Sequence, residues 1–405
     1  MNIRDKLRQL DRNPKSLSRK TQNESKQKLS SYFENGSTAE DNNYFFRTTK
    51  YKPDHKHGLY PLNKIFELKT EDISLITNAQ NDFNSLSPHD LLFFDTETTG
   101  LMGGTGTIPF LIGLGYFEGE SFIVKQLFMR DFDEEMPVLS TLATEITKYQ
   151  ILISFNGKSF DLPLLKTRMI MNRLSELNIP YHLDLLSAAR SLWSHLDSCS
   201  LNNLEKRVLN INRNDDLPGS KVPQMYFKYL DQKKPEYIEP IFEHNTIDIV
   251  SMVTMLIHLQ KIHKNSRDFH LSARELYNLG CLYEKRKDLI RSINFFEKAL
   301  QLNPDLILSG KIKTKLSWQY KRNNQWDKAV RIWNSMIRKN QGGIFPWREL
   351  AKYQEHQQKN FKQARKHTRK ALSLLQKKRI LYDDFTEQKQ KLTHRLQRLE
   401  NKINN

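Results

Sequence analysis

Short apolar runs and longer periodic stretches alternate between residues 57 and 265, and together they predict a sheet packed against helices. Continuous or alternating apolar residues predict strands at 91–95, 108–116, 121–128 and 150–156. Apolar residues that recur every three or four positions predict helices at 134–148, 160–174, 201–209 and 237–264. Three consecutive strands followed by a helix, a strand and further helices are typical of an α/β fold with a mixed central sheet.

The rest of the chain, roughly residues 270–405, repeats a helical motif. The stretch LYNLGCLYEKRKDLIRSINFFEKALQLNP resembles a tetratricopeptide repeat. The matching positions are Leu276, Leu279, Gly280, Tyr283, Phe296, Ala299 and Pro304. Weaker copies are marked by Leu316, Tyr320, Ala329 and Trp333, then by Trp347, Tyr353, Ala364 and Ala371, before a closing helix with Leu392, Leu396 and Leu399. The resemblance implies an all-α domain of stacked helix pairs, with a protein as a possible partner.

These patterns predict three parts. Residues 1–45 are polar and basic, and they are expected to form a disordered N-terminal segment with a short basic helix at 3–10. Residues 57–265 are expected to form the α/β domain, and residues 270–405 the basic helical repeat domain.

Composition predicts a cytoplasmic protein. The two cysteines, Cys199 and Cys281, lack the spacing of a zinc site or a disulfide framework. The N-terminus lacks the apolar core of a secretory signal. The longest apolar stretch, 108–117, is interrupted by Pro and Gly and is far too short to cross a bilayer, so no membrane partner is expected.

Positive charge is concentrated in the last third of the chain. Residues 267–405 hold 32 Lys and Arg residues against 13 Asp and Glu residues, a net charge of +19, whereas the rest has a net charge of −1. A basic module beside a carboxylate-rich domain favours binding of a polyanion such as nucleic acid. The alternative is a lysine-rich helical surface that is simply solvated.

Carboxylates at the ends of apolar runs are the candidate chemistry. Asp95 and Glu97 follow the run 91–94, and their two-residue spacing places both side chains on one face of a strand. Asp161 opens the next predicted helix, where a plain helix-start residue is an equally good interpretation. Asp248 lies four residues after His244 in the last predicted helix, so a surface pair on one helix face is also possible.

Together these residues predict metal chemistry on phosphate. Divalent cations such as Mg²⁺ or Mn²⁺ need several rigidly held oxygen ligands, which carboxylates supply. Two such ions can activate a water and stabilise the leaving oxygen in phosphodiester hydrolysis. The sequence therefore predicts a nuclease.

The same residues resemble a known family. Asp95 with Glu97, Asp161, and Asp248 are similar to the three motifs of the DEDD 3'–5' exonuclease superfamily, whose catalytic domain has a ribonuclease-H-like fold. Over residues 58–263 the chain resembles the YprB-like ribonuclease-H-like family more closely, through HGLYPLNKIFEL, DTETTGLMGGTGTIPFLIGLGYF, NGKSFDLPLL, HLDLLSAARSLW and RNDDLPGSKVPQMYFKYL. The resemblance implies two metal ions on the four carboxylates and release of nucleoside 5'-monophosphates from a 3' end of DNA or RNA.

The third motif departs from both branches of the superfamily. One branch has a histidine five residues before the last Asp, and the other has a tyrosine four residues before it. Here His244 occupies the four-residue position, and it is predicted to act as the general base. Two other functions stay open: a catalytically inactive scaffold that binds nucleic acid or protein, and a structure-selective endonuclease.

Several other residues have two interpretations. Residues 102–106 predict either a loop that contacts phosphate or a hairpin turn. Asp184 is either a support for the metal ligands or a helix cap, and Arg213 and Lys221 are candidate nucleic-acid contacts. The aromatic residues interpreted as core rather than as base-stacking platforms are Phe155, Phe160 and Tyr226.

Overall fold

A mixed sheet forms the centre of the first part of the chain in the computed structural model. The structure describes residues 29–33, 35–39, 43–77, 86–100, 106–179, 181–214, 216–264, 269–377 and 385–404. The chain divides into two compact units. The sheet unit ends at Ser266, and the helical unit begins at Arg267 and also includes Ser191–His195. All strands among the described residues belong to the sheet unit.

The strands are β1 Gly36–Thr38, β2 Phe45–Tyr51, β3 Lys56–His57, β4 Tyr60–Pro61, β5 Leu91–Thr98, β6 Pro109–Glu118, β7 Ser121–Phe128, β8 Ile151–Ser154 and β9 His182–Asp184. Seven of them form one sheet in the order β1-β2-β7-β6-β5-β8-β9, while β3 and β4 form a separate hairpin. Neighbours from β1 to β5 are antiparallel, whereas β5, β8 and β9 run parallel. The mixed central sheet expected from the sequence is therefore present.

Among the described residues between 70 and 264, the α-helices are α1 Thr70–Thr77, α2 Glu135–Ile146, α3 Asp161–Met171, α4 Leu185–Trp193, α5 Leu201–Leu204, α6 Val222–Gln232 and α7 Glu239–Lys264. The strands and helices predicted between residues 91 and 264 are all present, with small shifts at their ends. The segment predicted as one helix at 201–209 consists of the short helix α5 followed by a π-helical turn at Glu205–Leu209. Strands β1 and β9 have only three residues each, too few for a periodic pattern.

Strand β5 lies between β6 and β8, and α7 packs closely against the sheet beside it. The apolar residues 91–94 of β5 are buried, which explains their continuous rather than alternating pattern. Gly113 and Gly115 of β6 allow the approach of α7. A Cβ at Gly113 would lie 2.2 Å from Asn245 Oδ1, and one at Gly115 would lie 2.4 Å from Ile249 Cγ2. These glycines therefore bring the polar residues of α7 to β5.

The prediction that residues 1–45 are disordered is wrong for residues 29–33 and 35–39. Leu29 and Phe33 are buried, and the ring of Phe33 lies 5.2 Å from the ring of Phe242 on α7. Phe45 is also buried, and β2 pairs with β7. Tertiary contacts thus bury a few apolar residues that polar neighbours obscure in the sequence. Residues 1–28, with the predicted helix at 3–10, lie outside the described residues.

The helices that the structure describes from residue 269 onward are α8 Ala273–Lys285, α9 Leu289–Gln301, α10 Leu306–Arg322, α11 Trp326–Arg338, α12 Phe345–His356, α13 Phe361–Lys377 and α14 Phe385–Asn404. The repeat positions Leu279, Tyr283 and Ala299 are fully buried. Gly280 lets α8 approach α9, because a Cβ there would lie 2.5 Å from the Phe296 ring. Packing therefore explains the repeat pattern, as the sequence predicted.

The closing helix α14 is held by a buried acid. Leu392 and Leu399 of α14 are buried, and Glu355 of α12 is 1% exposed. Glu355 accepts hydrogen bonds from Arg398 Nε at 2.9 Å and from Lys402 Nζ at 3.2 Å.

Among the helices that the structure describes, none is both long and apolar enough to cross a membrane.

Candidate functional site

The four candidate carboxylates come from three elements. Asp95 and Glu97 lie on β5, whose register against β6 shifts just after Glu97, and such a bulge re-aims strand side chains. Asp161 is the first residue of α3, and Asp248 lies on α7. The negative charges of Asp161 and Asp248 raise the pKa values of both Asp95 and Glu97. The fold thus brings the four carboxylates into one electrostatic group.

Neutral donors hold two of these carboxylates in place. Asn245 Nδ2 donates to Asp95 Oδ2 at 2.9 Å, and Asn245 Oδ1 accepts from Gln126 Nε2 at 2.9 Å. Thr96 Oγ1 donates to Asp161 Oδ1. The sequence analysis missed Asn245 and Thr96. The available signal was position, because Thr96 lies between the two β5 carboxylates and Asn245 precedes Asp248 by three residues on a helix.

Burial raises the pKa of three of the carboxylates. The pKa values of Asp95 and Glu97 lie well above their usual range, first because both are buried and then because neighbouring carboxylates repel their charges. Burial also raises the pKa of Asp161 to about 6, although the hydrogen bond from Thr96 opposes the shift. Cations relieve such repulsion, so this donor set fits divalent metal ions.

The carboxylates are currently engaged by protein donors. Within the described ranges, no three or more His, Cys, Asp and Glu side chains are already arranged as a metal-binding group. Asp95 is bound by Asn245, and Asp248 forms an ion pair with Arg213 Nη2. These contacts use Oδ2 of Asp95 and Oδ1 of Asp248.

The raised pKa of Asp161 predicts how stability depends on pH in the absence of metal ions. A carboxyl group with a higher pKa in the folded state stabilises the fold when protonated, and this contribution is lost as the pH rises from 3.8 to about 6. Asp161→Asn cannot ionise, so in EDTA it should melt at a higher temperature than wild type above pH 6. The difference should shrink as the pH falls toward 4. Melting temperatures across this range check the prediction, and a difference that grows on acidification would contradict it.

His244 is placed between carboxylates. Its Nδ1 lies 2.8 Å from Asp216 Oδ1, and its Nε2 lies 3.9 Å from Glu97 Oε1 and 3.8 Å from Asp248 Oδ2. Burial raises the pKa of Asp216, but the hydrogen bonds and charges of His244 and Arg213 outweigh burial and lower it overall. An ionised Asp216 can only accept, so Nδ1 carries the proton and Nε2 faces the candidate ligands.

Asp184 is a helix cap that also binds the loop before α3. It caps α4 by accepting from the Leu186 backbone N–H at 3.0 Å. It also accepts from the backbone N–H groups of Asn156 at 2.9 Å and Lys158 at 3.1 Å. Because this loop leads directly into α3, Asp184 supports the position of Asp161.

The other candidates have different outcomes. Arg213 is buried and paired with acids, so its interpretation as a nucleic-acid contact is wrong. Tyr226 is buried, with its ring stacked 3.8 Å from that of Phe110, while Phe155 and Phe160 are only half-buried. Lys221 is exposed. Most of the predicted loop 102–106 lies outside the described residues.

Comparison with known proteins identifies the family and the fold of this chain. A family model described as RNase_H superfamily matches residues 92–260, and a tetratricopeptide repeat model matches residues 273–306. The chain is 31% identical over 344 residues to the uncharacterized protein YprB of Bacillus subtilis (strain 168), covering 82% of this chain and 81% of that protein. The chain belongs to the YprB-like family. The predicted ribonuclease-H-like α/β domain followed by an all-α tetratricopeptide-like domain is thereby confirmed.

This YprB-like chain also matches a solved structure, the family B DNA polymerase from the hyperthermophilic archaeon Pyrobaculum calidifontis. The sequence identity is 12% and the TM-score is 0.32. The match covers 57% of this chain but only 29% of the polymerase chain.

Proposed function

We propose that this YprB-like protein is a metal-dependent 3'–5' exonuclease that hydrolyses DNA or RNA and releases nucleoside 5'-monophosphates. The observation that carries the proposal is the meeting of four carboxylates, three with raised pKa values, beside one histidine on a ribonuclease-H-like fold. Nucleases of this fold generally use divalent metal ions. A nucleic acid is the corresponding substrate.

The residues that would hold two Mg²⁺ or Mn²⁺ ions are Asp95, Glu97, Asp161 and Asp248. When bound, such ions supply the positive charge that activates water and stabilises the leaving oxygen. His244 would accept the proton of the attacking water at Nε2, while Asp216 keeps the ring oriented through Nδ1. Nε2 lies 3.8 Å from Asp248 Oδ2, so the proposed base faces a candidate metal ligand. Breaking the P–O3' bond then leaves the phosphate on the released 5'-nucleotide.

The decisive experiment uses 5'-labelled single-stranded and double-stranded DNA and RNA with Mg²⁺ or Mn²⁺. Products that shorten by one nucleotide at a time from the 3' end, with release of nucleoside 5'-monophosphates, would support the proposal. Discrete internal cuts would identify a structure-selective endonuclease instead. Binding without cleavage of any substrate would identify a scaffold.

The helical unit is proposed to hold nucleic acid through α13. This helix, FKQARKHTRKALSLLQK, contains no Asp or Glu residue. Lys362, Lys366 and Lys370 are exposed and follow one another every four residues, so they share a face and rise about 6 Å per step. Such a row of positive charges is complementary to a phosphate backbone.

Replacing these three lysines by glutamine should weaken nucleic-acid binding and flatten its salt dependence. Each lost phosphate contact should reduce the slope of log affinity against log salt by about 0.7–0.9. Binding is measured in EDTA to prevent cleavage. The control is Lys287→Gln/Arg331→Gln/Lys339→Gln, which removes the same charge from exposed positions scattered over the same unit. Equal slopes for the wild type and the α13 variant would assign the repeats to a protein partner.

A further inference from the structure

Arg213 is a buried cation beside the candidate metal ligands. Its side chain is 4% exposed, and it holds Glu205 at two points, Nε to Oε2 at 2.6 Å and Nη2 to Oε1 at 2.5 Å. Nη1 donates to Asp216 Oδ2 at 3.0 Å, and Nη2 also donates to Asp248 Oδ1. One guanidinium therefore binds three carboxylates from separate parts of the sheet unit.

The guanidinium is committed to protein groups rather than to substrate. Arginine has five N–H donors. Four of these serve the hydrogen bonds to Glu205, Asp216 and Asp248, and Nη1 also lies 3.4 Å from His244 Nδ1. Arg213 is therefore placed to act through these carboxylates instead of gripping a phosphate.

Arg213 donates to one oxygen of Asp216 and to one oxygen of Asp248, and the second oxygen of each carboxylate faces His244. Asp248 uses Oδ1 for Arg213, while its Oδ2 lies 3.8 Å from His244 Nε2. Asp216 uses Oδ2 for Arg213 and Oδ1 for His244 Nδ1. Because the donors of a guanidinium have fixed directions, one side chain orients both a candidate ligand and the carboxylate that holds the histidine.

Glu205 holds Arg213 through two hydrogen bonds. It is 1% exposed and begins the π-helical turn after α5. The β3–β4 hairpin lies against this turn at Gly58, where φ is +61° and a Cβ would lie 2.4 Å from Leu209 O. A buried carboxylate needs a paired cation, and π-helical turns are frequent at functional sites. The buried Glu205 therefore anchors the guanidinium on this turn.

We propose that Arg213, anchored on Glu205, is a positioning residue that sets the metal affinity of Asp248 and the orientation of His244. The proposal rests on the proposed nuclease site, but Mn²⁺ binding can be measured without substrate or turnover. Removal of a group that orients a metal ligand typically costs about 10–100-fold in metal affinity or activity.

The test is Mn²⁺ titration calorimetry of the full chain in the wild type, Arg213→Ala and Arg168→Ala. Arg168 is a matched control because it is also buried and holds Glu135 by two contacts of 2.5 Å. Arg213→Ala should bind Mn²⁺ about 10–100-fold more weakly, whereas Arg168→Ala should retain wild-type affinity. Guanidinium ion should restore part of the affinity of Arg213→Ala, and methylammonium should not, because only guanidinium has the planar set of donors.

A second variant keeps the test valid if Arg213→Ala does not fold. Glu205→Gln/Arg213→Met removes this ion pair without leaving the buried Glu205 carboxylate unpaired, and it should show the same loss of Mn²⁺ affinity. Affinities of the folded Arg213 variants equal to that of Arg168→Ala would overturn the positioning role. If the Arg213 variants lose Mn²⁺ affinity as expected but the wild type cleaves no nucleic acid, the positioning role is supported and the proposed function is overturned.

Discussion

Asp95→Asn and Asp161→Asn should each lower the rate of hydrolysis by about 10³-fold or more. Each substitution removes a negative charge from the proposed metal site with little change in side-chain volume. A bound cation contributes several kcal/mol to the stabilisation of charge in such reactions, and about 1.4 kcal/mol corresponds to a factor of ten in rate. The measurement is the initial rate of nucleotide release at saturating Mg²⁺ or Mn²⁺.

The fold should survive these substitutions, which separates lost chemistry from unfolding. Burial already disfavours the charged forms of Asp95 and Asp161, so loss of charge should not lower the melting temperature in EDTA near pH 8. Asp133→Asn is the matched control, because it makes the same change at an exposed position of the sheet unit and should keep the wild-type rate. Undiminished hydrolysis in EDTA would rule out the metal-dependent mechanism.

His244→Ala should reduce the rate by about 10²–10⁴-fold, the usual contribution of a positioned general base. His244 Nε2 faces Glu97 and Asp248, and Asp216 binds the opposite ring nitrogen. The substitution removes the proton acceptor but leaves all four candidate metal ligands. Mn²⁺ affinity should therefore change much less than the rate. Both quantities are measured on the same protein preparation.

His244→Tyr provides a sharper comparison. One branch of the DEDD superfamily has a tyrosine at this four-residue spacing, so the tyrosine variant should retain more activity than the alanine variant. Wild-type turnover in His244→Ala, with the chemical step shown to limit the rate, would remove this residue from the mechanism. Water activation would then depend on the carboxylate site alone.

Much of the fold was predictable because its signals are local. The run 91–94 is apolar at every position, which indicates a strand buried on both faces, and the structure places β5 between two neighbouring strands. The repeat pattern is equally local, since Gly280 and Tyr283 of α8 pack against the adjacent helix α9. Short-range periodicity was enough to identify these elements.

The sequence also singled out the carboxylates as candidates. Asp95 and Glu97 close an apolar run, and Asp161 begins a helix after a turn, so each position was visible from its immediate neighbours. Their proximity to Asp248 depends on the packing of α7 against Gly113 and Gly115. A local pattern can nominate such residues, but the distances between them arise from chain segments more than sixty residues apart.

Only the tertiary structure decided which residues surround the site and which N-terminal residues are buried. Arg213 pairs with Asp248, 35 residues away, and with Glu205 on a π-helical turn, and no periodicity predicts these contacts. Leu29 and Phe33 lie in a polar stretch of sequence and are nevertheless buried. Local propensity and periodicity depend on neighbours in the chain, and they determined the elements and the candidate residues. Burial and ion pairing depend on which distant segments exclude water together, and only the folded chain determines that.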